Sequence, residues 1–218
     1  MILALDTSSP NCELSFLKDG KEVFSIFADT QSKHEKNLIS LIDFSLKYLN
    51  ISLKDIELIG VSIGPGNFTA LRVGLATSFG LSYPHNIPIK GINTLDALYH
   101  TCLYYFEKME KERIVCVIDA KRESLYTAVY QEKKLIGDYQ LVPINEFPNL
   151  FPYKEISFVC GSGILFYPEL FGEYKKINIY YPKAKIIGLL ASKAKKENNL
   201  DNPFSLSPFY LKEPDIRK

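Results

Sequence analysis

Two stretches far apart in the chain carry the same pattern, and that repetition limits the fold more than any other feature. "LALDTSSPNCELSF" starts at Leu3 and "VIDAKRESLYTAVY" at Val117. Each reads as a short apolar strand, an aspartate (Asp6 or Asp119), a polar turn and a second, alternating strand. The offset of roughly 115 residues is far longer than any solenoid period and points to two lobes on one plan.

The segments between fit that plan. Ile2–Leu5, Leu14–Leu17 and Val23–Phe27 are expected strands, the last two joined by a "KDG" hairpin turn. From Lys33 to Leu49 the spacing turns helical, with Asn50 suited to the end. "IELIGVSIG" reads as a parallel strand buried on both faces, and "NIPIKGI" as a fifth strand. A helix follows, capped by Asn93 or Thr94 with Asp96 in its first turn. Further on, Ile156–Cys160 reads as a strand, "AKIIGLLASKAKKENN" as an amphipathic helix and "NPFSLSPFYLKEP" as a proline-broken tail. The expected class is α/β, with mixed sheets, flanking helices and two similar lobes resembling the actin/hexokinase/Hsp70 ATPases (the ASKHA type). The lobes are expected at 1–105 and 106–218, with the tail packing back on the first.

Composition narrows the function. Apolar residues make up 46% and charged residues 23%, as in an ordinary globular protein. A formal charge of +1 argues against broad electrostatic binding of nucleic acid. Cys12, Cys102, Cys116 and Cys160 form no C-x-x-C pair and read as buried thiols in a reducing compartment. "MILALD" lacks a basic n-region, and no uncharged apolar run approaches the ~18 residues of a bilayer span. A cytoplasmic protein without membrane contact is expected.

Two loops are candidates for chemistry. "DTSSP" places Asp6 and Thr7 at a strand end, where sugar kinases and related ATPases position metal and phosphate; an Asx turn explains the same residues. "SIGPGNFTALRVGLATSFGL" puts Gly64, Gly66 and Thr69 between a strand and a helix, a place suited to an anion. It lacks the lysine of a Walker loop and is not G-x-G-x-x-G. Ala70, Gly74 and Ser78 fall one turn apart, so a packing role competes with the anion role. The second lobe offers "DAKRES", without glycine, where Lys121, Arg122 and Glu123 obstruct the backbone. An intact ATP clamp is therefore not expected. "HEKNL" misses the zincin pattern at Leu38, and His34, His85 and His100 are not spaced for joint ligation.

The helix ending at Leu49 is apolar over a wide arc. Ile39, Ile42, Leu46 and Leu49 form one stripe, which Leu38, Leu41, Phe44 and Tyr48 extend. Only Lys36, Ser40, Asp43 and Lys47 make a polar wedge. The arc covers roughly 220°, against the ~100° that one core contact needs. Burial on two sides within one lobe explains such an arc, as does an intermolecular surface.

Together "LALDTSSPNCELSF", "KHEKNLISLI", "GVSIGPGNFTALRVGLATSFGL", "IPIKGINTLDAL", "VIDAKRESLYTAVY" and "PFYLK" resemble the TsaB (YeaZ) family. Its GPGSFTGLRIG-type motif stands here with Asn67 and Ala70 replacing serine and glycine. The resemblance spans most of residues 1–130 and returns at the C-terminus. It implies a non-catalytic scaffold that works with the paralogue TsaD and the ATPase TsaE in threonylcarbamoyl transfer to an adenosine of tRNA. No cofactor is then required by this chain, although weak nucleotide binding in a vestigial cleft stays open, and tRNA is met only indirectly. TsaD's N-H-x-E-x-H-like metal motif, laid on "NTLDAL", puts Thr94 and Leu98 at the histidine positions, so no metal site is expected. The resemblance assigns the surface for TsaD and for a homodimer to the two N-lobe helices, with Leu38, Leu41, Ile42, Phe44, Ser45, Tyr48, Arg72, Val73 and Ala76 as candidates. The alternative is an ASKHA-type enzyme acting alone, a small-molecule kinase or M22-like glycopeptidase, or a nucleotide-sensing module.

Overall fold

A computed structural model describes residues 1–29 and 34–211, with side chains in the second segment from residue 37 onward. Lys33, where the first helix was expected to start, and Lys212 of the "PFYLK" tail lie outside the described residues, as does the Lys36 side chain.

The described residues divide into two compact units, those within 1–97 with 183–209 and those within 98–182 with 210–211. The first holds a five-stranded sheet. Its strands are β1 (Ile2–Asp6), β2 (Asn11–Lys18), β3 (Lys21–Asp29), β4 (Leu58–Gly64) and β5 (Ile89–Asn93). Their order is β3-β2-β1-β4-β5. β1, β2 and β3 are antiparallel neighbours, whereas β4 joins β1 and β5 in parallel. Asp19 and Gly20 close the β2–β3 hairpin with φ of 52° and 74°, the left-handed pair of a type I′ turn. Helix α1 (His34–Leu49) ends at Asn50, whose φ of 53° is the left-handed conformation asparagine tolerates. Helix α2 (Phe68–His85) is stopped by left-handed Asn86. Helix α3 (Thr94–Tyr105) follows β5 directly.

The second unit repeats the scheme with one strand fewer. Strands β6 (Ile114–Asp119), β7 (Ser124–Gln131) and β8 (Lys134–Pro143) form an antiparallel meander. The short helices α4 (Phe147–Leu150) and α5 (Gly163–Phe166) flank β9 (Phe158–Cys160), which pairs with β6 in parallel. The order β8-β7-β6-β9 repeats β3-β2-β1-β4, so the duplicated strand–aspartate–turn–strand motif starts each sheet at an equivalent place.

Helix α6 (Ala184–Lys196) belongs to the first unit rather than to the lobe expected at 106–218. Its buried stripe, Ala184, Ile187 and Ala191, packs with Ile2, Ala4, Leu17 and Leu58 on one face of the sheet. The opposite face meets α1 and α2 through Leu14, Phe16, Leu38, Ile42 and Leu75. Past α6 the chain crosses the β5 edge: Asp201 accepts from Gly91 N–H at 2.7 Å and Phe209 N–H donates to the Ile63 carbonyl at 2.8 Å. No helix among the described residues is long and apolar enough to cross a membrane.

Candidate functional site

The loop after β4 and the turn after β1 lie against each other. Asp6 is 2% exposed, and its Oδ1 accepts the Ser8 N–H at 3.0 Å, an Asx turn. Thr7 N–H donates to Ser62 Oγ at 3.3 Å, and Thr7 Oγ1 donates to the Ala70 carbonyl at 2.8 Å. Asn67 N–H reaches the Ser8 carbonyl at 2.8 Å, while Asn67 Oδ1 caps α2 by accepting from Ala70 N–H at 3.1 Å. A Cβ on Gly66 would collide with the Ser8 carbonyl oxygen, and one on Gly74 with Thr7 Oγ1. Asp6, Thr7, Gly64 and Gly66 are thus brought together, with Thr69 exposed to one side. The glycines admit the chain's own turn, and the small-residue stripe of Ala70, Gly74 and Ser78 is buried against this unit.

The helix surface needs a correction at three positions. Leu38, Ile42 and Ser45, expected at a partner interface, are 1%, 3% and 0% exposed. The first two belong to the core beneath α1, and Ser45 Oγ donates to the Leu41 carbonyl at 2.6 Å. Leu41 and Val73 are half-buried against the same core. Phe44 and Tyr48 stand out at 52% and 68% exposure, their rings stacked at 6.2 Å, and Tyr48 also lies 5.0 Å from Phe24. Ile39 is exposed beside them. On α2 as far as Tyr83 the exposed positions are Thr69, Arg72, Ala76, Gly80 and Tyr83, one per turn and without charge except at Arg72. The Arg72 guanidinium sits 3.8 Å from the centre of the Phe68 ring, a cation–π contact within the helix's first turn.

Sequence patterning missed an aromatic cluster at the far end of α2. Phe204 lies 5.5 Å from Phe79 and 5.3 Å from Tyr83 and is itself 71% exposed. No periodicity marks Phe204, because it sits in the irregular segment after α6.

Opposite Asp6 in the β1–β2 register stands Glu13, in ion contact with Lys183 at 3.5 Å. Burial pushes the Glu13 carboxyl up to about 7, and Asp6 adds to this while Lys183 opposes it. The neighbouring Cys12 thiol is pushed up to about 12 by burial, then by Asp6 and Glu13. Folding therefore favours protonated Glu13. Below its ordinary 4.5 the carboxyl is protonated in both states, and stability falls as pH rises from there through about 7. Glu13→Gln is expected to match the wild type at pH 4 and to exceed it by about 1–3 kcal/mol at pH 8 in urea melts. Equal stabilities at pH 8 would contradict this.

Thr94 and Leu98, at the positions matched to metal-binding histidines, are 1% and 0% exposed. Among the described residues no group of three or more histidine, cysteine or acidic side chains is placed to hold a metal.

A family model described as TsaD, tRNA N6-adenosine threonylcarbamoyltransferase, matches residues 28–141. The tRNA threonylcarbamoyladenosine biosynthesis protein TsaB of Buchnera aphidicola subsp. Schizaphis graminum is 31% identical over 206 residues, 90% of this chain and 95% of that protein. The chain belongs to the TsaB (YeaZ) family. Its fold agrees with a Pseudomonas aeruginosa protein described as similar to the peptidase YeaZ, at a TM-score of 0.84 and 23% identity over 97% of this chain and 99% of that one. A ROK family protein from Streptococcus pneumoniae, solved with sucrose, follows at 0.52 and 11% identity over 90% and 99%. TsaB-family membership and these neighbours place the chain in the ASKHA-type α/β class.

Proposed function

We propose that this chain is a non-catalytic scaffold subunit of threonylcarbamoyladenosine synthesis on tRNA. It would bind a TsaD-like transferase through the exposed face of α1 and α2 and meet a TsaE-like ATPase through that complex. The observation that carries this is the division of labour on one pair of helices. Leu38, Ile42, Ala70 and Gly74 close the chain's own core, while Phe44, Tyr48 and Ala76 stay outside it. Exposed aromatics beside small residues give a contact area with few charges to desolvate. The TsaB name of the Buchnera relative and the match to the TsaD model support the pathway. The same face serves a homodimer, so self-association and transferase binding compete. No cofactor is required by this chain, tRNA is met through the partner, and the setting is the cytoplasm.

The test is reconstitution. The purified chain is expected neither to hydrolyse ATP nor to modify tRNA alone, and to restore modification when added to its transferase and ATPase. ATP or peptide turnover by the chain alone would favour an enzyme of the ASKHA type instead.

A further inference from the structure

A kinase-like fold calls for a nucleotide and a divalent cation beside the carboxylates that end the first strand of each sheet, and the residues here do not fit that pair. In the second unit Asp119 ends β6 with its side chain 5% exposed. Its Oδ2 lies 2.6 Å from Lys121 Nζ, and its Oδ1 accepts from Lys121 N–H at 2.9 Å and from the Tyr167 hydroxyl at 3.2 Å. The ammonium also stands 4.3 Å from the centre of the Phe166 ring. Lys121, Arg122 and Glu123 are left-handed in succession, with φ of 62°, 51° and 53°. Each such residue costs on the order of 1 kcal/mol without glycine. The turn that directs both the amide and the ammonium of Lys121 at Asp119 is therefore held by those contacts. Lys121 and Tyr167 meet the Asp119 carboxylate, and Phe166 stands beside the ammonium.

In the first unit a lysine again meets a carboxylate beside the strand end, but on the neighbouring strand. Asp6 ends β1 and faces Glu13 across the sheet. Lys183, at the start of α6, brings its Nζ to 3.5 Å from Glu13 Oε2 and 5.7 Å from the centre of the Phe27 ring. The lysine of the second unit reaches the strand-end aspartate itself, and the lysine of the first unit, from a helix start, reaches the glutamate paired with its strand-end aspartate. Conservation of a local turn does not explain both.

We propose that Lys121, beside Asp119, and Lys183, beside the Glu13 that pairs with Asp6, are resident cations that take the place of a divalent metal and close these two carboxylate sites to metal–phosphate ligands. The proposal rests on the non-catalytic reading of the chain and gives its chemical cause. Charge-assisted contacts of this kind neutralise a buried carboxylate without any bound ion.

Thermal melting of the full chain with Mn2+ alone as the added ion tests it, with no partner, tRNA or nucleotide present. The lysine side chains are 73% and 42% exposed, so methionine at either place leaves the fold intact. Lys121→Met and Lys183→Met are each expected to lower the Tm by about 2–5 °C at pH 8, above the raised Glu13 value of about 7. Millimolar Mn2+ should restore most of that loss and leave the wild type unmoved. Adding Asp119→Asn to the first variant and Glu13→Gln to the second should remove the Mn2+ response. A wild type that responds to Mn2+ as strongly as the variants would overturn the proposal. So would variants that melt with the wild type, or that ignore Mn2+. Any of these outcomes leaves the reconstitution result untouched, and a failed reconstitution leaves the melting result standing.

Discussion

Phe44→Glu and Tyr48→Glu are each expected to weaken association with the transferase, and of the chain with itself, by about 30-fold or more. Buried aromatic anchors contribute ~2–4 kcal/mol apiece to interfaces of this kind, and a carboxylate left in their place would be desolvated without a partner. Both side chains are more than half exposed in the isolated chain, so its stability should change by less than about 1 kcal/mol. Ile42→Glu, two positions before Phe44 but 3% exposed, should instead unfold the chain, because an unpaired buried charge costs several kcal/mol. Leu41, expected from the sequence to behave like Phe44, is half-buried on the core, and Leu41→Glu should destabilise before it interferes with binding. Sedimentation or light scattering paired with urea melts separates these outcomes. Equal loss of stability for Phe44→Glu and Ile42→Glu would mean that the outer face of α1 is not free for a partner.

Gly74→Val carries the second large effect. The new Cβ meets Thr7 Oγ1, which is itself held by the Ala70 carbonyl, so neither α2 nor the β1 turn can give way without losing a buried hydrogen bond. Overpacking of this kind, added to β-branching in a helix, is expected to cost about 2–4 kcal/mol. For a chain of this size the Tm should fall by roughly 5–15 °C. Gly80 on the same helix is the control, because a Cβ there meets nothing within 4 Å. Gly80→Ala should raise stability by about 0.5–1 kcal/mol, the ordinary gain from removing a mid-helix glycine. Calorimetry on the two variants would contradict the packing role of the loop if Gly74→Val melted with the wild type.

Much of this architecture was readable because it is local. The alternating strands, the Asp19–Gly20 turn, the Asn50 stop and the repeated aspartate turn are each set by residues within a few positions of one another. The wide apolar arc of α1 was readable too, but periodicity cannot rank the two sides of a helix that is apolar on both. Leu38 and Ile42 face the sheet while Phe44 and Tyr48 face outward, and only the position of β2 and α2 decides which is which. Contacts across long separations were not legible. Nothing local to Gly74 names Thr7 as its neighbour, and nothing in "SPFYL" shows that Phe209 hydrogen-bonds to Ile63. The membership of α6 in the first unit was hidden for the same reason. At "DAKRES" nothing in the sequence showed that Lys121 would turn back onto Asp119.

The scaffold role is tested most directly by measuring threonylcarbamoylated tRNA made by the purified transferase and ATPase, with and without this chain. Modification is expected to depend on the chain and to vanish with Phe44→Glu, while the chain alone makes none. Full activity of the transferase and ATPase in its absence would contradict the role outright.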